Sequence, residues 1–306
     1  MSTIAPALRK LEPLYRADFG RSLAVKKAKR ACRRFRHELN LLPRRVDASR
    51  RMLPELVILG AQKAGTTSLF NYLSQHPQVQ PPIRIEVHYF DLAFAKGPTW
   101  YRAHFPRQTF SADGPHNGER AITFDSSPYY FFHPAVPGRL KSMLPQAKFV
   151  VMLRNPVDRA YSHYWHEVEL GQERLPLSAA FAEEDNRLRG EVEKLETDAR
   201  YKSFAHRHYS YLSRGLYADQ IKRWFELFSP EQFLFIKSER FFADPDTDMN
   251  RIFRFAGLAV PSRIQYRPFN VGQYRKMDPT LRQVLTEFYR PFNCQLTELL
   301  GQDFSW

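Results

Sequence analysis

The chain has 306 residues, of which 43% are hydrophobic, so it is long enough to bury a sizeable core. No segment reaches the roughly 20 consecutive apolar residues of a membrane-spanning helix, and the N-terminus lacks the apolar core of a secretory signal. The two cysteines, Cys32 and Cys294, indicate neither a disulfide framework nor a cysteine-based metal site. These features predict a cytoplasmic protein in a reducing compartment.

The positive charge is concentrated near the N-terminus. Residues 1–51 contain 15 Lys and Arg but four acidic residues, which accounts for +11 of the net charge of +14. Basic and apolar residues interleave over 21–36, which predicts a basic amphipathic helix. Four interpretations stay open for it: contact with an anionic membrane surface, steering of an acidic substrate, contact with nucleic acid, or simple packing as a solvated helix. We expect a helical arm over 1–51, ending at the Leu42-Pro43 to Pro54 break, and one domain over 52–306.

Beyond the arm, short apolar strands alternate with helices. Strands are predicted at 56–59, 121–124, 148–153 and 233–236. Helices are predicted at 67–75, 134–144, 157–170 and around 216–228. The alternation predicts an α/β fold, P-loop-like and three-layered, with a central parallel sheet of about five strands flanked by helices. The highly charged stretch 175–200 predicts a solvated helical insertion.

The segment between the first strand and the first helix has the pattern of a phosphate-binding loop. Its candidate ligands are backbone and side-chain groups of Gly60, Lys63, Ala64, Gly65, Thr66, Thr67 and Ser68. A triphosphatase loop carries its lysine directly after the second glycine, but here the lysine is Lys63. This lysine position suits transfer of a sulfuryl group, which carries less charge than a γ-phosphoryl group. One lysine can then stabilise the leaving phosphate without a metal. The alternative is an ordinary strand-to-helix turn, capped by Thr66 or Thr67.

A second anion-binding pattern follows the strand 148–153. Arg154 stands at the strand end and Pro156 at a helix start, while Ser162 lies two turns into that helix. Ligands of parallel sheets bind beyond the carboxyl ends of the strands, so a guanidinium and a hydroxyl are placed to bind one phosphate. The alternative is that Arg154 is a surface ion-pair partner.

These two motifs resemble those of the sulfotransferases that use 3′-phosphoadenosine 5′-phosphosulfate (PAPS), and most of all their heparan-type glycosaminoglycan branch. The resemblance extends over about 56–306. It implies PAPS as the donor, without a metal, and transfer to a hydroxyl or amine. It also implies that the loop holds the 5′ side, and that Arg154 and Ser162 hold the 3′-phosphate. Further donor contacts are implied at Tyr217, Gly272, Tyr274 and Arg275.

The resemblance further implies a catalytic base, because an acceptor hydroxyl must lose its proton as it attacks. In the matching motif the glutamate is thought to be the base and the neighbouring histidine and aspartate to assist it. By position these are Glu86, His88 and Asp91. Glu86 and His88 alternate along an extended segment, which places both side chains on one face. The alternatives are a solvated loop carboxylate and a structural histidine.

Several family residues are absent. Ile85 replaces a lysine, with Arg84 as a substitute, and Ser126 replaces a catalytic lysine. The family's Lys-Gly-Arg loop aligns with Val271-Gly272-Gln273, so its lysine and its arginine are absent here. The cysteine pair of the secreted enzymes is also missing. These changes remove positive charges expected around an anionic polysaccharide. The transfer reaction is therefore expected, but heparan itself is a weak candidate as acceptor.

Three interpretations of function follow. The first is sulfuryl transfer to a carbohydrate or glycoconjugate, and the second is transfer to a lipid or small-molecule metabolite. The third is a nucleic-acid-binding protein whose arm binds and whose nucleotide fold is inactive, but residues 52–306 are nearly neutral, so no nucleic acid is expected as a partner. An anionic membrane surface is kept as a partner of the arm, which would make the cytoplasmic protein peripheral to the membrane. The sequence carries no signal for an oligomeric state.

Overall fold

The computed structural model describes residues 4, 8, 23–108, 120–267, 269 and 274–306. The chain divides into two compact units. The sheet unit comprises Arg33–Leu153 and Trp224–Val271, and the helical unit comprises Met1–Cys32, Arg154–Arg223 and Gly272–Trp306. The division into an arm at 1–51 and a domain at 52–306 stays a prediction.

The sheet unit is built on parallel strands. They are β1 Leu56–Gly60, β2 Phe124–Ser126, β3 Lys148–Leu153 and β4 Phe233–Lys237, in the spatial order β2-β1-β3-β4. Every pairing is parallel. β1 is buried throughout and β3 everywhere except at Lys148, as the continuous apolar runs of a sheet covered on both faces require. The predicted α/β fold with a central parallel sheet is confirmed.

The sheet has four strands within the described residues, not about five as predicted. A further segment pairs with the sheet by one parallel bridge, between Val79 and Ile122. The amide of Gln80 donates to the carbonyl of Ile122 (2.9 Å), but Pro81 and Pro82 follow. Because proline has no N–H to donate, the pairing cannot continue into a fifth strand.

Helices fill most of the remaining chain. In order they are α1 Leu23–Val46, α2 Thr66–Leu73, α3 Tyr89–Leu92, α4 Pro98–Arg102, α5 Val136–Met143, α6 Pro156–Glu169, α7 Leu177–Ala182, α8 Glu184–Leu188, α9 Glu191–Thr197, α10 Phe204–His208, α11 Tyr217–Phe225, α12 Ser238–Ala243, α13 Pro245–Phe255 and α14 Pro279–Leu300. The four predicted helices correspond to α2, α5, α6 and α11. Within the described ranges, no helix has both the length and the apolar character needed to cross a membrane.

The predicted basic helix is longer than expected, because α1 continues through Pro43 to Val46. Pro43 has no N–H to donate to the carbonyl four residues earlier, so the last turn of α1 lacks one helical hydrogen bond. This end of α1 packs on the sheet unit: Leu41 is fully buried, and Arg44 donates to the carbonyls of Ala103 (2.6 Å) and Phe105 (2.7 Å). Helix α1 therefore continues through the Leu42-Pro43 step.

The charged stretch 175–200 contains three helices, and the prediction that it is solvated holds for 192–194 and 196–200 but not for its N-terminal part. Helix α7 buries Leu177 and Phe181 in the core of the helical unit. In α8, the buried carboxylate of Glu184 accepts hydrogen bonds from the amides of Leu212 (2.5 Å) and Ser213 (2.8 Å). Burial raises the pKa of Glu184 to about 7 in spite of these bonds. Charge density in the sequence did not reveal that some of these charges are satisfied inside the unit.

We expect Gly215→Ala to destabilise the helical unit. An added Cβ would lie 2.7 Å from the ring and hydroxyl of Tyr289 and 2.9 Å from Pro156 Cβ. Overpacking of this kind costs about 1–3 kcal/mol. The matched control is Gly138→Ala in α5, where the added Cβ meets nothing within 4 Å, and a helical alanine stabilises by about 0.5–1 kcal/mol. Thermal unfolding that shows equal melting temperatures for the two variants would contradict this packing.

Candidate active site

The candidate phosphate loop lies between β1 and α2 in the sheet unit. Gly65 is the N-cap of α2 and has a left-handed backbone (φ 100°), without a side-chain cap. An added Cβ at Gly65 would lie 2.7 Å from the outer ring atoms of the exposed side chain of Phe242, so it is the backbone conformation that requires glycine there. Lys63 also has a positive φ of 71°. The expected alternative, in which Thr66 or Thr67 caps the helix, is wrong.

Hydrogen bonds to other segments of the sheet unit hold the loop, and two of its side chains stay partly exposed. The carbonyl of buried Ala64 accepts a hydrogen bond from Ser238 Oγ (2.8 Å), while buried Ser68 Oγ accepts one from the amide of Phe269 (3.3 Å). Lys63 and Thr67 are half-buried. Amides in the first turn of a helix have no intrahelical acceptor, and the helix dipole favours an anion there. This donor set, with one lysine beside it, fits a phosphate or phosphosulfate group.

The three residues predicted for acid–base chemistry meet in the sheet unit. His88 Nδ1 lies 2.7 Å from Asp91 Oδ2, and His88 Nε2 lies 2.9 Å from Glu86 Oε2. The Asp91 side chain is fully buried, whereas that of Glu86 is 45% exposed. The imidazole therefore links a buried carboxylate to a partly exposed one.

Burial lowers the pKa of His88, but the adjacent carboxylates of Asp91 and Glu86 outweigh burial and raise it to about 9. His88 is therefore protonated at neutral pH and donates one hydrogen bond to each carboxylate. A protonated imidazole cannot accept a further proton. A base drawn from this group would therefore be a carboxylate, and Glu86 carries the more exposed one.

A second buried carboxylate, that of Asp125 in β2, supports this group. It accepts hydrogen bonds from the hydroxyls of Tyr101, Ser127 and Tyr130, each 3.0 Å long. Ser127 Oγ in turn accepts the His88 amide (3.0 Å). Burial raises the pKa of Asp125 to about 6, although the three hydroxyls lower it. Asp125 thus fixes the backbone of His88 through Ser127.

Sequence reasoning did not identify Asp125. A charged residue directly after the predicted strand 121–124 was a signal, because a buried Asp needs hydrogen-bond partners. Its neighbour Ser126, at the position of the family lysine, is also buried and pairs in register with Ile58 of β1. Ile85, the other lysine replacement, is exposed.

The Arg154 motif lies in the helical unit and begins directly after β3. Asn155 caps α6 by accepting the amide of Val157 (3.0 Å). Tyr217 donates a hydrogen bond from its hydroxyl to the backbone carbonyl of Arg154 (2.7 Å), and Arg154 itself is half-buried. Ser162, two turns into α6, is buried.

The remaining predicted donor contacts are Tyr274, Arg275 and Gly272. The carbonyl of Arg275 accepts a hydrogen bond from the Tyr161 hydroxyl (2.9 Å), and the rings of Tyr161 and Tyr274 are 5.5 Å apart. Gly272 lies outside the described residues. No cluster of three or more His, Cys, Asp or Glu arranged for a metal occurs in the described part of the chain.

The sulfotransferase domain family matches residues 53–300, which is most of the chain. This chain belongs to that family. Membership implies that the sulfotransferase takes its sulfuryl group from PAPS. The roles of individual residues and the cytoplasmic location stay predictions.

Relatives agree with this assignment. Human (Homo sapiens) heparan sulfate glucosamine 3-O-sulfotransferase 6 is 31% identical over 87% of the sulfotransferase and 77% of its own length. Human heparan sulfate glucosamine 3-O-sulfotransferase 3A1 is 29% identical over 85% of this chain and 64% of its own. A crystal structure of a sulfotransferase from Alicyclobacillus acidocaldarius has 31% identity and a TM-score of 0.62, covering 82% of this chain and 97% of that one.

We expect His88 to titrate near pH 9, as measured by NMR of ¹⁵N-histidine-labelled protein. Asp91→Asn should lower the midpoint towards 6.5, while Glu226→Gln, at an exposed position, should not change it. The folded chain keeps this proton where the unfolded chain releases it, so the stabilisation is complete below pH 6.5 and is lost as the pH rises through about 9. A wild-type midpoint near 6.5 would exclude a charged link between the carboxylates.

Proposed function

We propose that this sulfotransferase transfers a sulfuryl group from PAPS to a hydroxyl of a glucosamine-containing glycan, with Glu86 as the general base. The observation that carries the proposal is the hydrogen-bonded group of Glu86, His88 and Asp91. Its partly exposed carboxylate is held by a buried, protonated imidazole. Family membership supplies the reaction class.

When bound, PAPS supplies the sulfuryl group, and its 3′-phosphoadenosine 5′-phosphate part leaves. We assign the 5′ side to the loop between β1 and α2, where helix amides and Lys63 offer donors and positive charge. Lys63 would neutralise charge on the departing phosphate oxygen, the role that Mg²⁺ has in phosphoryl transfer. No metal is proposed.

The step at the acceptor needs a proton acceptor. As the acceptor oxygen forms its bond to sulfur, the bond from sulfur to the donor phosphate breaks and the hydroxyl proton passes to Glu86. The imidazolium of His88 orients Glu86 by donating a hydrogen bond to its Oε2. Asp91 holds the imidazole by accepting a hydrogen bond from Nδ1. Asp125 is a positioning residue in this scheme, because it acts through Ser127 on the backbone of His88.

For the 3′-phosphate we propose Arg154 and Ser162 of the helical unit, as the family resemblance implies. Tyr217 supports this role by fixing the carbonyl of Arg154. A guanidinium forms charge-assisted hydrogen bonds with phosphate that are stronger than neutral ones. Tyr274 and Arg275 are proposed as further contacts.

The acceptor class is proposed from the relatives. Two of them are named as enzymes that act on heparan sulfate glucosamine at the 3-O position. The replacement of family lysines by Ile85 and Ser126 reduces positive charge, which favours a less anionic glycan than heparan. Because these names specify 3-O-sulfation, we favour a hydroxyl rather than an amine as the group that receives the sulfuryl group.

The donor site is tested first by calorimetric titration with 3′-phosphoadenosine 5′-phosphate, alongside ATP with and without Mg²⁺. We expect binding of the bisphosphate alone, unchanged by EDTA. Arg154→Ala should raise its Kd by roughly 10- to 100-fold, since a hydrogen bond to a charged group contributes about 1.5–3 kcal/mol. The control Arg263→Ala, at an exposed position, should leave the Kd unchanged. Mg²⁺-dependent binding of ATP would contradict the donor assignment.

Turnover tests the two catalytic roles. With PAPS and desulfated heparan oligosaccharides as acceptor, Glu86→Gln should lower kcat by about 10²–10⁴-fold while keeping affinity for the donor product. Lys63→Ala should lower kcat by about 10²–10³-fold. Glu226→Gln and Lys222→Ala, both at exposed positions, are the matched controls. Wild-type rates in Glu86→Gln would remove Glu86 from the base role, and sulfation of lipid or phenol acceptors alone would replace the glycan.

A further inference from the structure

Helix α1 exposes an apolar stripe along its C-terminal half. The stripe consists of four side chains at helical spacing, namely Phe35, Leu39, Leu42 and Val46, which are 68%, 47%, 54% and 89% exposed. Steps of four, three and four residues place them on one face of a helix. Large apolar side chains are normal singly on a surface, but an aligned set of four marks an interaction site.

The opposite face of α1 is firmly anchored, so the outward direction of the stripe is fixed. Leu41 is fully buried, and Arg44 donates to two backbone carbonyls of the sheet unit. Beside the stripe, Glu38 pairs with Lys96 (2.6 Å) and Arg45 (3.2 Å) and accepts the Trp100 indole N–H (3.2 Å). The stripe is therefore the face of α1 that these contacts leave uncovered.

The charge of α1 identifies the kind of partner. Its 24 residues contain nine Lys and Arg and one acidic residue, and that residue, Glu38, is already paired. Arg36 is exposed next to Phe35, and Arg50 follows the helix at an exposed position. An apolar stripe flanked by excess positive charge matches a surface that is apolar inside and anionic at its boundary.

We propose that the stripe of α1 docks the sulfotransferase on an anionic phospholipid surface. The four apolar side chains would enter the acyl boundary while the flanking arginines contact headgroup phosphates. A second copy of this chain fits less well, because two helices of the same positive charge repel each other. A nucleic acid fits less well too, because its phosphates would bind the basic residues but leave the apolar stripe exposed to water.

The experiment is vesicle flotation with the full chain. Vesicles contain phosphatidylcholine alone or with about one third phosphatidylserine, at low and high salt. The stripe variant is Phe35→Gln/Leu39→Gln/Leu42→Gln, which keeps good helix formers on exposed positions. The matched control is Phe204→Gln/Leu227→Gln/Val260→Gln, three exposed apolar residues elsewhere.

Wild type and control should bind the anionic vesicles at least about tenfold more tightly than neutral ones, and the stripe variant should lose at least about tenfold. Unchanged affinity for 3′-phosphoadenosine 5′-phosphate would show that the stripe variant is folded. Wild type that stays unbound, or a stripe variant that binds as wild type does, would overturn the proposal. So would a dimer, seen by light scattering, that the stripe variant loses, or tighter binding to RNA than to vesicles.

Discussion

The buried carboxylate of Asp125 organises the hydrogen-bonded group of Glu86, His88 and Asp91 in this sulfotransferase. Three hydroxyls donate to it from two different parts of the sheet unit, Tyr101 on α4 and Ser127 and Tyr130 after β2. Two of these hydroxyls also accept backbone amides: Ser127 that of His88, and Tyr130 that of Tyr89 (2.8 Å). A buried carboxylate is expensive unless it is fully hydrogen-bonded, so the segment that follows Glu86 must keep this conformation.

The backbone conformation of His88 reflects these hydrogen bonds. It has a left-handed conformation (φ 56°), which is uncommon for a residue other than glycine and persists where surrounding bonds require it. In this conformation the imidazole reaches both Asp91 and Glu86. One positive charge between two carboxylates then explains a histidine that stays protonated despite burial. The side chain of Glu86 stays 45% exposed.

The candidate phosphate loop depends on a different constraint, which is backbone conformation rather than charge. Gly65 must be glycine because of its positive φ, and an added Cβ would also displace the outer ring atoms of Phe242. Ser238 holds the loop through the carbonyl of Ala64, so the loop is shaped before any ligand binds. Preorganised donors of this kind cost little reorganisation when charge develops on a leaving group.

The sequence by itself determined the fold class, the strand-to-helix loop and the family, because apolar periodicity and short glycine-containing motifs are local properties of the chain. It also identified Glu86, His88 and Asp91 as neighbours. Only the tertiary structure decided that His88 is charged and that Asp125 supports it, since both depend on burial and on partners distant in the chain. The same holds for the stripe of α1: helical spacing is local, but which face is buried depends on what α1 packs against.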